Sequence, residues 1–128
     1  MAADGPPPPD PPDLLDAIST ELAALHLRYH GREPRSTSTN LIDDELVVCV
    51  FSGIYTTVEK TMIEIGREAT VHQTRSEFQQ AMSRRFVAVV ERLSGRVVGG
   101  FSSMTNVGPD LEVNVFLLEP AGPEPSEA

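Results

Sequence analysis

Two pairs of β-rich runs, each joined by a short turn, constrain the fold of this chain more than any other feature. Residues 36–42, STSTNLI, and 45–51, ELVVCVF, flank Asp43-Asp44. β-branched and apolar runs on either side of such a turn predict an antiparallel hairpin. Residues 96–106, RVVGGFSSMTN, and 111–118, LEVNVFLL, flank Val107-Gly108-Pro109-Asp110 and predict a second hairpin. In the last run Leu111, Val113, Val115 and Leu117 alternate with Glu112, Asn114, Phe116 and Leu118. The alternation implies a buried apolar face and a mixed face, and Phe116 and Leu118 require a cover on the mixed one. Gly99-Gly100 in the facing strand implies a bulge or a close approach.

Helical periodicity fills the remaining sequence. Leu15, Ile18, Leu22, Leu25 and Tyr29 recur at helical steps, with Asp13 as the expected N-cap, Gly31 as the stop and Pro34 forbidding continuation. Ser52-Gly53 breaks the first hairpin from a short helix whose cap is Thr56 or Thr57 and whose apolar face is Val58, Met62 and Ile65. Residues 67–73 read as a link. A long helix is expected from Thr74 or Ser76, with Phe78, Met82, Phe86, Val89 and Leu93 on its buried face and Arg84, Arg85 and Arg92 in water. The order is α-β-β-α-α-β-β. It predicts an α+β fold with a four-stranded, mainly antiparallel sheet and helices packed on one face. A sheet with apolar positions on its far side offers a dimer surface.

Charge and proline locate the ends of this domain. Nine of the eleven prolines fall in residues 1–12 and 120–128. The acids of 1–13 and 119–128 supply six of the nine net negative charges, leaving about −3 between Leu14 and Leu118. The expected organisation is a disordered proline-rich leader over 1–12, one domain over 13–119 and a disordered acidic tail over 120–128. A basic footprint for nucleic acid is missing. No apolar run is long enough to span a bilayer, and the first residues lack the pattern of a secretory signal. Cys49 is the sole cysteine, which excludes an internal disulfide and suits a reducing compartment. No His or second Cys is near it in sequence to activate it, so it reads as a small buried hydrophobe.

Candidate chemistry is sparse. His26 and His30 stand at metal-ligand spacing on one helix, but Leu27 occupies the place where zinc helices of that spacing carry a Glu. Both read as structural, and neither a metal nor another cofactor is expected. Nine of the ten basic residues are arginines. Arg32 and Arg35 flank the turn at Gly31–Pro34, Lys60 lies on the short helix, and Arg67 and Arg75 flank the 67–73 link. These five form the candidate partner- or anion-binding set, since arginines beside free turn amides suit a carboxylate or small anion. Each could equally be solvated or paired with a nearby acid. Nothing brings a nucleophile, base and orienting group together, so an enzyme is not expected.

With these landmarks in place the chain resembles the MpsC-like domain family, the C component of a sodium-translocating membrane-potential-generating system. The resemblance covers about residues 14–118. It rests on the turn Gly31-Arg32-Glu33-Pro34, the hairpin ending VVCVF, the helix opening TTVEKTM at 56–62, Arg75, and LSGRVVGGFSSMTNVGPDLEVNVFLL at 93–118. Glu33 stands where the family more often has a second glycine, and its carboxylate opposes an anion at that turn. The resemblance implies a cytoplasmic protein linked to membrane-potential generation or dissolved inorganic carbon uptake, beside an integral-membrane transport partner. It carries over no catalytic residue.

The leading expectation is a non-catalytic accessory or regulatory domain. It would form a homodimer through its sheet or first helix and meet a membrane transport partner without inserting into the bilayer. The alternatives are a sensor for bicarbonate or a carboxylate, held by the arginines, and a small enzyme.

Overall fold

The computed structural model describes residues 11–120. Residues 1–10 of the expected 1–12 leader and residues 121–128 of the expected 120–128 tail lie outside the described residues, while Pro11 and Pro12, expected in the leader, belong to the first helix. The element order is α1 (Pro11–His30), β1 (Ser36–Ile42), β2 (Leu46–Ser52), α2 (Thr57–Glu64), α3 (Glu68–Ser94), β3 (Val98–Asn106) and β4 (Leu111–Leu118). The four strands form one antiparallel sheet in the order β1-β2-β4-β3. The last strand of the second hairpin therefore lies inside, against β2, and β1 and β3 form the edges.

The first hairpin closes as its turn residues dictate. Asp43 and Asp44 both take positive φ, at 53° and 58°, and the Glu45 N–H donates to the Ile42 carbonyl at 3.0 Å. Positive φ at both central positions matches the twist of the flanking strands, and Asp tolerates it better than most residues. In the second hairpin a register shift between Val98 and Gly100 marks the bulge that the glycine pair implied.

Two helical boundaries differ from expectation. α1 begins at Pro11, so Asp13 sits within the first turn and is not the N-cap. Proline is at home there because the first amides of a helix have no intrahelical partner. Residues 67–73 are not a link: α3 starts at Glu68 and runs for 27 residues. Val71 is buried on the same stripe as Met82 and Phe86, and Arg75 occupies the stripe between them. A charged side chain at an inward position hid the periodicity. Phe78, expected inside, is 38 % exposed.

The largest correction concerns the faces of β4. Glu112, Asn114, Phe116 and Leu118 are the buried set. They face the helices together with Val47, Cys49 and Phe51 of β2, and with Ile18, Leu22, Val89 and Val90 of α1 and α3 they form the core. The mixed face of β4 is thus the interior. Its polar members survive there because they bond one another. The uniformly apolar set, Leu111, Val113, Val115 and Leu117, lies on the open face of the sheet, where Leu117 is 48 % exposed. Register aligns it with Leu46, Val48 and Val50 of β2 on the inner strands, and with Ile42 and Met104 on the edges.

Candidate functional site

One end of the domain is organised around a buried guanidinium. The loop between β2 and α2 begins at Gly53, whose N–H donates to the Asp110 carbonyl at 3.1 Å, and the Ile54 N–H donates to Asp110 Oδ1 at 2.8 Å. Thr56 then caps α2. Its hydroxyl accepts from the Glu59 N–H and the Glu59 carboxylate accepts from the Thr56 N–H at 2.9 Å, a reciprocal capping box. The cap fixes Glu59 so that its carboxylate points at α3.

Arg75 meets it there. Nε donates to Glu59 Oε2 at 2.7 Å and Nη2 to Glu59 Oε1 at 2.6 Å. Nη2 also donates to the Ile54 carbonyl at 2.8 Å. Nη1 lies 3.0 Å from His26 Nε2 and 3.9 Å from Glu112 Oε1. The guanidinium carbon stands 5.2 Å from the Tyr55 ring centroid, within cation–π range. A planar fork of five donors suits a bidentate carboxylate with further acceptors around it, which an ammonium could not match.

The tautomer of His26 follows from its neighbours. Nδ1 lies 2.7 Å from the Arg32 carbonyl, which can only accept, so Nδ1 carries the proton and Nε2 accepts from Arg75. His26 is thus a neutral coupler between the Gly31–Pro34 turn and Arg75. Burial pulls its pKa down to about 4. The bond to the Arg32 carbonyl opposes that fall, and the Arg75 charge adds to it. His30, stacked 4.5 Å from His26, is held down to about 3 by burial and by the charge of Arg75.

The two carboxylates around Arg75 differ in state. Burial disfavours the Glu59 anion, but the bonds from Arg75 and Thr56 outweigh it and hold the carboxyl below its ordinary range. Glu112, 2 % exposed, is pushed up by burial, and its bonds from Asn114 and Gln79 and the charge of Arg75 only partly offset this. The Asn114 amide donates to Glu112 Oε2 at 3.0 Å and accepts from the Ser103 hydroxyl at 2.7 Å. A polar chain thus crosses the interior from α2 to β3.

Of the five basic residues singled out from the sequence, Arg75 lies at the centre of this network, 1 % exposed. Arg32 is half-buried beside it, and its Nε donates to the Gly53 carbonyl at 3.0 Å. Arg35, Lys60 and Arg67 are exposed. Glu59, Glu112 and Asn114 were not singled out from the sequence as site residues, and His26 was read there as a structural histidine of the first helix. A signal was present for His26 alone, which continues the buried spacing of Ile18 and Leu22 on α1. Cys49 is fully buried and its thiol is pushed up to about 11 by burial. Among the described residues no group of three His, Cys, Asp or Glu side chains could hold a metal.

A family model described as the Na+-translocating membrane potential-generating system (MpsC) matches residues 13–120. The chain belongs to the MpsC family. The match spans every strand, α2, α3, all but the first two residues of α1 and the whole Arg75 network, so that network lies within the family domain. No curated protein and no solved structure matches the chain. The MpsC family is linked to a membrane-potential-generating system, although among the described residues of this chain no helix is long and apolar enough to cross a membrane.

Proposed function

We propose that this MpsC-family chain is a non-catalytic, cytoplasmic accessory component of a membrane-potential-generating system, and that it works by docking its open sheet face on a protein partner of that system. The observation that carries the reading is the chemistry of that face. Its inner strands present Leu46, Val48, Val50, Leu111, Val113, Val115 and Leu117, its edges present serine, asparagine, Ile42 and Met104, and none of its strand positions is charged. In a chain with a net charge of −9, an uncharged apolar face of this extent is suited to a protein surface rather than to water. The interior polar groups support the same reading. Arg75, Glu59 and His26 direct their donors and acceptors to one another and to main chain, which suits scaffolding better than turnover.

The anion-sensor reading has less behind it, because Arg75 is committed to Glu59 and Arg32 to Gly53, while Arg35, Lys60 and Arg67 are exposed on the surface.

The test is complementation of cells lacking this component, with membrane potential read by a voltage-sensitive dye. Val48→Lys and Val115→Lys place charges on the half-buried centre of the open face. The wild-type chain should restore the potential, and the double variant should fail while keeping its melting temperature within a few degrees. Full restoration by a folded double variant would overturn the reading.

A further inference from the structure

The sheet has two edges, β1 and β3, and the β3 edge opens into a groove. β3 carries nine residues with no charge and no proline, the devices by which edge strands discourage pairing. Between β3 and the outer flank of α3 lies a groove of about 770 Å³. Along α3 the groove runs from Ser76 to Glu91, and toward its Glu91 end Val87 and Ala88 form an apolar pair between Arg84 and Glu91, with Phe101 lining the β3 side. Arg84 is exposed and forms no ion pair among the described residues. Glu91 accepts the Val98 N–H with Oε2, at 2.9 Å, which leaves its other oxygen for a partner.

We infer that a second copy of this chain pairs along the β3 edge, making a dimer with one continuous eight-stranded sheet. The arrangement of charge on α3 selects this occupant. Arg84 and Glu91 are equidistant in sequence from the midpoint between Val87 and Ala88. A twofold axis through that midpoint sets each Arg84 against the Glu91 of the other copy and lays apolar centre on apolar centre. A parallel arrangement would instead set arginine against arginine. The pattern is self-complementary under a twofold, as isologous contacts require. The spacing agrees. α3 contacts Phe101 of β3 through Phe86 and Glu112 of β4 through Gln79. A helix over the gap between those strands lies about 5 Å from a twofold at the new strand pair, given a strand spacing of about 4.8 Å. Two such helices are then about 10 Å apart, at the outer limit of ordinary helix packing. The same twofold passes beside Ser102, and the open faces of the two sheets join into one surface on the side away from the helices.

The test uses the full chain in solution. Light scattering and sedimentation should give a dimer at micromolar concentration. Arg84→Glu should weaken it roughly tenfold or more, because two like-charged contacts replace two ion pairs. Arg84→Glu combined with Glu91→Arg should restore it. Because Glu91 also holds the Val98 amide, a second measurement avoids that position. Ser102→Cys, on an exposed site, should crosslink as a dimer with a short bismaleimide, while the wild type, whose Cys49 is buried, should not. A monomeric wild type would overturn the inference. So would a dimer that is indifferent to Arg84→Glu, fails to crosslink through Ser102→Cys and dissociates on Val115→Lys, which would put the open face at the interface.

Discussion

Glu59 holds Arg75 with both carboxylate oxygens, and one of the same oxygens accepts the Thr56 N–H that opens α2. The helix cap and the buried ion pair are therefore one device. Removing either partner leaves the other charge or its bonding groups inside the protein. Arg75→Ala should cost about 3–5 kcal/mol, as breaking a buried pair from one side does. Glu59→Ala should cost a comparable amount, although Glu59 is the less buried of the two. Replacing both with alanine should cost clearly less than the two single changes together. Urea denaturation of the four chains measures this. Additive losses would mean that the two residues stabilise the fold independently.

The Thr56 hydroxyl is the one part of this device that can be removed without touching the ion pair. Thr56→Ala removes the hydroxyl that accepts the Glu59 N–H but leaves the Glu59 carboxylate free to bind Arg75. The expected cost is about 1 kcal/mol, the usual loss for an N-cap threonine. Thermal unfolding at neutral pH should place Thr56→Ala well above Arg75→Ala. If Thr56→Ala proves as damaging as Arg75→Ala, the cap sets the position of the carboxylate and the two contributions cannot be separated.

Two glycines with positive φ should respond differently to alanine. Gly31, at φ 73°, has open space where a Cβ would stand, so Gly31→Ala meets only the backbone penalty of about 1–2 kcal/mol. Gly53, at φ 64°, would place its Cβ 2.6 Å from the Arg35 Cβ, in the loop held by Asp110, Arg32 and Arg75. Gly53→Ala should therefore be the more destabilising by at least about 1 kcal/mol, since the clash adds to the same torsional strain. Equal melting temperatures for the two variants would mean that the loop yields without loss.

The contrast between these glycines also shows what could be read from the sequence. Gly31 was legible as a helix stop because it follows an apolar stripe and precedes Pro34. Gly53 was legible only as a break, since its close approach to Arg35 depends on how the turn after α1 meets the end of β2. The hairpins were legible because turn chemistry and strand alternation are local. The Arg75 network was not, because its members come from α1, α2, α3 and β4, and each looks like a surface residue until its partners are placed. The β4 error has the same origin. A strand alternating Glu, Asn, Phe and Leu with Leu and Val appears to bury the apolar set, and only the bonds among Glu112, Asn114, Ser103 and Gln79 make the opposite choice tolerable. That reversal is what leaves the apolar row of β4 uncovered.

Acid sensitivity should begin at a pH too high for carboxylates. His26 and His30 have folded pKa values of about 4 and about 3, against 6.5 in the unfolded chain. Between those limits the unfolded state binds protons that the folded state refuses. The two histidines therefore lower stability as pH drops from about 6.5, with a joint contribution that approaches about 2.7 kcal/mol per pH unit near pH 5 while both imidazoles stay neutral. Glu59, held below its ordinary range, adds loss in the same direction, but only below about pH 4.5. Glu112 works the other way: its raised pKa costs stability above 4.5 and relieves it as the pH falls. His30→Phe separates the contributions. The ring lies between His26 and Phe78, with centroids at 4.5 and 4.9 Å, and its Nε2 is buried without a partner among the described residues, so phenylalanine keeps the ring contacts and removes an unsatisfied atom. At pH 7.5 the variant should be no less stable than the wild type. Between pH 6 and 4.5 its slope should be shallower than that of the wild type by about 1.4 kcal/mol per pH unit, because one fewer proton separates the states. Urea unfolding at half-unit pH steps measures both slopes, and an unchanged slope in His30→Phe would show that the acid limb does not come from His30.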